Sequence, residues 1–323
     1  MKKRCVFLRR TAVITLLLAF FSILSPAASA SSAPKNARAA GGTPQIVDVV
    51  CCGWSYSYRD EPHALIALLS DGTVRTAGLD AFLDADTVSW VNSWKDIIQL
   101  CTMDVEILGL KADGTVVSTI GRKARPESEP RFNPNTWRNV KELISSGDDQ
   151  YYGLTNDGRI LVSNADPIAG YGGGRPFMKW SDIQKVCYFA YGEDRGLFGL
   201  RNDGTVVAAE PSAFWNYVDD RVIPTNVVDV DSSGFIFCTL QEDGSVWATG
   251  SVGNDLQERL ARMRDVVQIA VCYQDVVCRL RDGTAVGCYG DSYSDWKDIV
   301  DIQPCGRWAA GLGKDGHIRF PEG

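Results

Sequence analysis

Apolar residues alternate with polar ones in short runs along this chain, and the same run returns seven times around an Asp-Gly pair. The copies are Leu68 to Val74, Leu110 to Val116, Leu154 to Ile160, Leu200 to Val206, Leu240 to Val246, Leu280 to Ala285 and Leu312 to Ile318. Alternation of period two on both sides of a tight turn predicts a pair of antiparallel strands, and Gly supplies the positive φ that such a turn needs. Upstream of each copy lies an Ile-x-x-Val pattern, beginning at Ile46, Ile97, Val140, Ile183, Val227, Val266 and Ile299. It predicts a third strand. The residue before it is Gln45, Asp96, Asn139, Asp182, Asn226, Asp265 or Asp298, and short polar side chains of this kind bond nearby backbone and set the start of a strand.

Successive Asp-Gly pairs lie 42, 44, 46, 40, 39 and 33 residues apart. A period of this size marks one supersecondary unit that cannot bury its apolar face alone and must stack on copies of itself. Three or four short strands per period, without a helical pattern, predict an all-β protein, a seven-bladed β-propeller. Four copies carry a Trp three residues before the third strand, at Trp94, Trp137, Trp180 and Trp296. These are expected to wedge between neighbouring blades. The last copy reaches Gly323 soon after its hairpin, so residues 31–44 are the expected ring-closing leader and residues 45–323 the propeller.

The N-terminal thirty residues break the pattern. Lys2, Lys3, Arg4, Arg9 and Arg10 precede an apolar run from Thr11 to Leu24, and Ala28-Ser29-Ala30 follows. That is the layout of a secretory signal peptide cleaved near Ala30, too short in its apolar part to span a membrane as an ordinary helix. The expected product is secreted, with no membrane insertion after cleavage. Removing five of the 33 basic residues leaves 28 against 40 acidic ones, a net charge of −12. An acidic surface repels phosphate backbones, which argues against nucleic acid as a partner.

Ten cysteines would suit a disulfide framework, and nine remain after cleavage. Their alignment favours packing instead. Cys52, Cys272 and Cys305 share a column with Met103, Ser146, Phe189 and Ser233, and Cys238 and Cys278 share another with Ile66, Leu108, Tyr152, Phe198 and Ala310. A column that takes Cys, Met, Ser and Phe alike is an interior position. No Cys-x-x-Cys occurs, the two histidines are His63 and His317, and Asp229-Val-Asp231 lacks the twelfth-position Glu of a calcium loop. No metal, cofactor or catalytic residue is therefore expected. The turn aspartates are explained by the turn itself.

The copies differ most in the connection between the Ile-x-x-Val strand and the next, and equivalent connections emerge on one face of a disc. They carry Trp54, Tyr56, Tyr58 and Arg59, then Asp149, Tyr191, Arg195, Phe235, Tyr273 and Trp308, along with Asp104, Glu106, Gln150, Asp275 and Arg307. Aromatic residues and Arg among acids are what protein-binding surfaces enrich. These ten residues form the expected binding surface of a non-catalytic module, a monomer whose partner is an extracellular or cell-surface protein. Two other readings stay open. One is an extracellular hydrolase or lyase with its site in the channel. The other is a glycan-binding disc that stacks sugars on Trp54, Tyr56 and Trp308.

The linked pair Ile-x-x-Val-x-x-x-Gly and Leu-x-x-Asp-Gly-Thr-Val resembles the repeats of the RCC1 superfamily of seven-bladed propellers, in the divergent form of secreted bacterial proteins, across residues 45–323. The chain lacks the Gly-Gln-Leu-Gly ending and the following His of the eukaryotic repeats, so the resemblance does not extend to chromatin binding or Ran nucleotide exchange. Some secreted members bind and inhibit β-lactamases through aromatics just after the repeat Gly, and Gly306-Arg307-Trp308 and Gly53-Trp54 have that form. What the resemblance implies is a protein-binding disc.

Overall fold

The computed structural model describes residues 44–52, 64–81, 83–103, 106–120, 133–145, 150–163, 176–191, 194–209, 223–233, 236–250, 254–272, 275–288, 293–305 and 308–321. Within them the chain forms seven three-stranded antiparallel sheets, each made of three consecutive strands. Blade 1 contains β1 (Ile46–Cys52), β2 (Ala64–Leu69) and β3 (Val74–Ala77), and blade 2 contains β4 (Ile97–Met103), β5 (Glu106–Lys111) and β6 (Val116–Ser118). Blade 3 has β7 (Val140–Ser145), β8 (Tyr151–Thr155) and β9 (Ile160–Val162); blade 4 has β10 (Ile183–Tyr191), β11 (Asp194–Arg201) and β12 (Val206–Ala209). Blade 5 holds β13 (Val227–Ser232), β14 (Ile236–Gln241) and β15 (Val246–Gly250), and blade 6 holds β16 (Val266–Val271), β17 (Val276–Leu280) and β18 (Ala285–Gly287). β19 (Ile299–Cys305), β20 (Trp308–Gly313) and β21 (Ile318–Arg319) complete blade 7. The fold is a seven-bladed β-propeller, with three strands described in each blade.

Among the described residues two short α-helices interrupt the β pattern. They are α1 (Ala85–Asn92) between blades 1 and 2 and α2 (Asn254–Arg262) between blades 5 and 6. The absence of helix expected from the repeats is corrected here: two turns are too few to show a sustained period, and the local signal was the cap. Asp84 accepts a hydrogen bond from the Thr87 amide at 2.8 Å and starts α1.

One backbone device joins the blades. Asp96, Asn139, Asp182, Asn226, Asp265 and Asp298 all stand at φ between 55° and 62°, a left-handed conformation that Asn and Asp tolerate better than other non-Gly residues. The turn this makes aims the next amide backward, so Ile97, Val140, Ile183, Val227, Val266 and Ile299 each donate to the carbonyl of the preceding blade's turn Gly. The six bonds measure 2.8–3.3 Å. Each turn Gly is also at positive φ, and a Cβ on Gly72 would lie 3.1 Å from Asp96 Cα. Glycine is needed there twice over, for the turn and for the neighbour.

Six hydrophobic clusters follow the same junctions. Trp137 joins Leu108, Leu110 and Val116 of blade 2 to Val140 and Leu143 of blade 3, and Trp94, Trp180 and Trp296 do the same at their own junctions. The expected wedge is present, with a second face that the sequence reading missed. Each Trp ring lies on a glycine in the middle strand of its own blade, Gly109, Gly153, Gly199 or Gly311. The three blades without the Trp carry Ala67, Thr239 and Cys278 at that position. Ring and glycine are one unit.

The seventh junction is built differently. Val49 is 46% exposed, whereas its counterparts Leu100, Leu143, Val186, Val230, Ile269 and Ile302 are at most 4% exposed. On the last blade Ile318 and Phe320 are also exposed. Gln45 replaces the left-handed Asp or Asn, and Gly316 receives no bond from Ile46 among those between described residues. Residues 31–43, expected to close the ring, lie outside the described residues, as does the signal segment.

A Cβ on Gly153 would lie 2.8 Å from the Trp137 ring. Gly153→Ala is expected to cost about 1–3 kcal/mol by overpacking, and Trp137→Ala about 3–5 kcal/mol by cavity formation. In urea denaturation the double variant should lose much less than the sum, because the methyl enters space the ring has left. Simple additivity would contradict the pairing.

Candidate functional site

Of the ten residues expected to bind a partner, Trp308 is the one whose side chain is described. It opens β20 and is 49% exposed, while Trp94, Trp137, Trp180 and Trp296 are all buried. Tyr191 ends β10 and Arg195 lies in β11, joined through the pairs Ala190 with Arg195 and Tyr191 with Asp194. This hairpin places both residues at the same end of blade 4. Trp54, Tyr56, Tyr58, Arg59, Asp149, Phe235 and Tyr273 lie outside the described residues, as do Asp104 and Arg307.

Three further members of that set take part in local bonds. Asp275 is buried, and its Oδ1 accepts from the amides of Val276 and Cys288 at 2.8 and 2.9 Å. It therefore caps blade 6 instead of joining a solvent-facing surface. Gln150 Oε1 accepts from the Tyr152 hydroxyl, and the Glu106 carbonyl accepts from the Tyr151 hydroxyl. Tyr151 thereby links blade 3 to blade 2.

A second polar set was not singled out from the sequence. The third residue of Ile-x-x-Val is Asp48, Gln99, Glu142, Lys185, Asp229, Gln268 or Asp301, polar in every copy. All lie on the inner strands, just beyond a bulge that recurs after the first strand residue in all seven sheets. Gln99 uses its amide like a piece of strand, donating to the Leu143 carbonyl and accepting from the Leu143 amide at 3.0 and 2.9 Å. Gln268 repeats this with Ile302 and also donates to Asp301. The signal was available as a polar position recurring inside an apolar motif.

Between β7, β10 and β13 this polar column borders a cavity of about 430 Å³, lined by Glu142, Ser145, Lys185, Cys187, Asp231 and Ser232 among others. Lys185 Nζ lies 2.6 Å from Asp229 Oδ1. Burial pulls the pKa of this ammonium down, but the Asp229 carboxylate opposite it, together with Asp231, leaves the pKa raised. Asp231 is a carboxylate held by backbone: its two oxygens accept from the amides of Ser232 and Val271. Burial raises its pKa, opposed by the Val271 amide and by Lys185. Cys187 of β10 and Cys101 of β4 are buried, and burial pushes both thiols up to about 12, the opposite of an activated nucleophile.

The turn aspartates behave as the sequence implied. In Asp71, Asp113, Asp203, Asp243 and Asp282 the hydroxyl and amide two residues on hold the carboxyl below its usual range. Six described cysteines are buried and none is in a disulfide. Among the described residues no group of three or more His, Cys, Asp or Glu is placed to hold a metal ion.

No family model matches the chain, and no curated protein sequence does either. Solved structures similar to it include the CRINKLY WD40 ectodomain of the Arabidopsis thaliana receptor kinase ACR4, at 13% identity and a TM-score of 0.45, covering 86% of this chain and 98% of that one. Another is the computationally designed Ika8 protein, at 12% identity and a TM-score of 0.45, covering 86% and 83%. Prp20p of Saccharomyces cerevisiae matches at 16% identity and a TM-score of 0.36, covering 78% and 68%. The propeller assignment rests on the seven sheets themselves.

Lys185→Met tests the polar column. A raised carboxylate pKa means that the charged form of Asp231 costs stability, a cost that appears as pH rises from the ordinary value near 3.8 through the folded one. Removing the nearby ammonium enlarges it. The loss of melting temperature is expected to be small near pH 4 and to grow toward neutral pH; an equal loss at both would contradict the role assigned to Lys185.

Proposed function

We propose that this chain is an exported, non-catalytic binding module of the RCC1-like type, which engages a protein partner through the connections on one face of its disc. The observation that carries this reading is Trp308, a large aromatic half-exposed at the start of a strand, in a chain that otherwise buries its described tryptophans at blade junctions or packs them beside one. Tryptophans exposed at such a position are among the residues that dominate protein–protein affinity. Tyr191 and Arg195, at one end of blade 4, add residue types favoured in such surfaces. The non-catalytic part is supported by the inner carboxylates Asp229 and Asp231, whose described bonds go to Lys185 and to backbone. Such bonds hold strands together.

The test is capture of secreted and surface proteins on the immobilised mature chain, comparing wild type with Trp308→Ala and with the Trp54→Ala, Trp308→Ala pair. Loss of a buried Trp anchor costs about 2 kcal/mol or more, so affinity for the captured partner should fall at least about 30-fold at unchanged melting temperature. Equal capture by all three proteins would contradict the assignment. So would a glycan-array signal that depends on Trp308 while no protein is captured.

A further inference from the structure

Blade 6 brings together two cysteines that are 10 positions apart in the chain. Cys278 lies in β17 opposite Val286 of β18, and Cys288 follows β18 directly. The Cys288 amide donates to the Val276 carbonyl at 3.1 Å and to Asp275 Oδ1 at 2.9 Å. These bonds continue the β17–β18 ladder by one pair, so Cys288 faces Val276. Because alternate residues share a face of a sheet, Cys278 and Cys288 are diagonal neighbours on one side of the hairpin. Both are fully buried in one hydrophobic cluster, with Cys238 of blade 5 beside them. The two thiols are hydrogen-bonded to each other, which together with burial raises the pKa of Cys288.

We propose that Cys278 and Cys288 form a disulfide that clasps the outer hairpin of blade 6. Diagonal positions stand about 7–8 Å apart between Cα atoms, beyond the usual disulfide span of about 4.4–6.8 Å, so the two strands must draw together for the bond to close. The bond therefore forms under strain and is more easily reduced than an ordinary structural disulfide. The oxidant is another disulfide, small or protein-borne. One cysteine thiolate attacks it to give a mixed disulfide and releases one thiol; the second cysteine displaces the other thiol and closes the Cys278–Cys288 bond. Two protons and two electrons leave the pair, and the oxidant departs as two thiols. Burial blocks this exchange in the finished fold, so the bond is made before blade 5 and α2 pack on this face of the hairpin. In the cell the proposal rests on export, which supplies an oxidising compartment.

The full mature chain, reduced and unfolded, is refolded with glutathione disulfide or with reductant alone, then denatured, alkylated and mapped by mass spectrometry. The expected result is loss of alkylation at both Cys278 and Cys288 in the oxidised sample, recovery of a cross-linked peptide pair joining them, and release of that pair by mild reductant. Cys288→Ser should return Cys278 to the alkylated pool. Full alkylation of both residues after oxidative refolding, or linkage of Cys278 to Cys238, would overturn the proposal. Mapping the chain as purified from its producing cells without reductant separates the two ideas. A pair that bridges in vitro but is recovered reduced from cells upholds the bridge and counts against export.

Discussion

Six blade junctions depend on one hydrogen bond, from the first amide of an inner strand to the carbonyl of the glycine in the preceding blade's turn. Its geometry requires two unusual backbone conformations at once, positive φ at the turn Gly and positive φ at the Asp or Asn that starts the next blade. Either residue alone would be an ordinary local preference. Together they make the contact between neighbouring units specific, because a Cβ on the glycine meets the next blade's backbone. The side-chain devices are layered on that frame: the Trp on its glycine, the glutamine amides that imitate a strand, the Lys185–Asp229 pair.

A repeat protein is stabilised by its units and by the interfaces between neighbours, and here the interfaces are unequal. Six share the amide-to-glycine bond and a hydrophobic cluster. At the seventh, where blade 7 meets blade 1 in the order of a ring, Val49, Ile318 and Phe320 remain exposed and Gln45 lacks the left-handed turn. The same residue types that are buried elsewhere are exposed here. The terminal blades are the weak units of the array, and Trp308 belongs to one of them.

Most of the fold was legible from seven repeats of two short motifs. A turn needing Gly, a strand preceded by Asp or Asn, and a period near 40 residues are local facts that survive burial in a large structure. The pairing of Trp with glycine was equally present in the sequence: Gly109, Gly153, Gly199 and Gly311 follow the four tryptophans, and other residues stand where the Trp is missing. It was missed because it joins two positions 15 to 19 residues apart, beyond the reach of strand periodicity. Asp275 shows the opposite limit. Its place in a loop suggested solvent, but the amides of Val276 and Cys288 draw it inward, and nothing local in sequence announces that. Functional residues were least legible, since a binding face is defined by what the copies do not share.

Amide hydrogen exchange at the seven strand starts tests the central claim most directly. If the glycine-to-amide bonds hold the array, the amides of Ile97, Val140, Ile183, Val227, Val266 and Ile299 will exchange slowly while that of Ile46 exchanges fast. Protection at Ile46 equal to the other six would contradict the account, because it would mean that blade 7 is fastened to blade 1 by the same bond as every other pair.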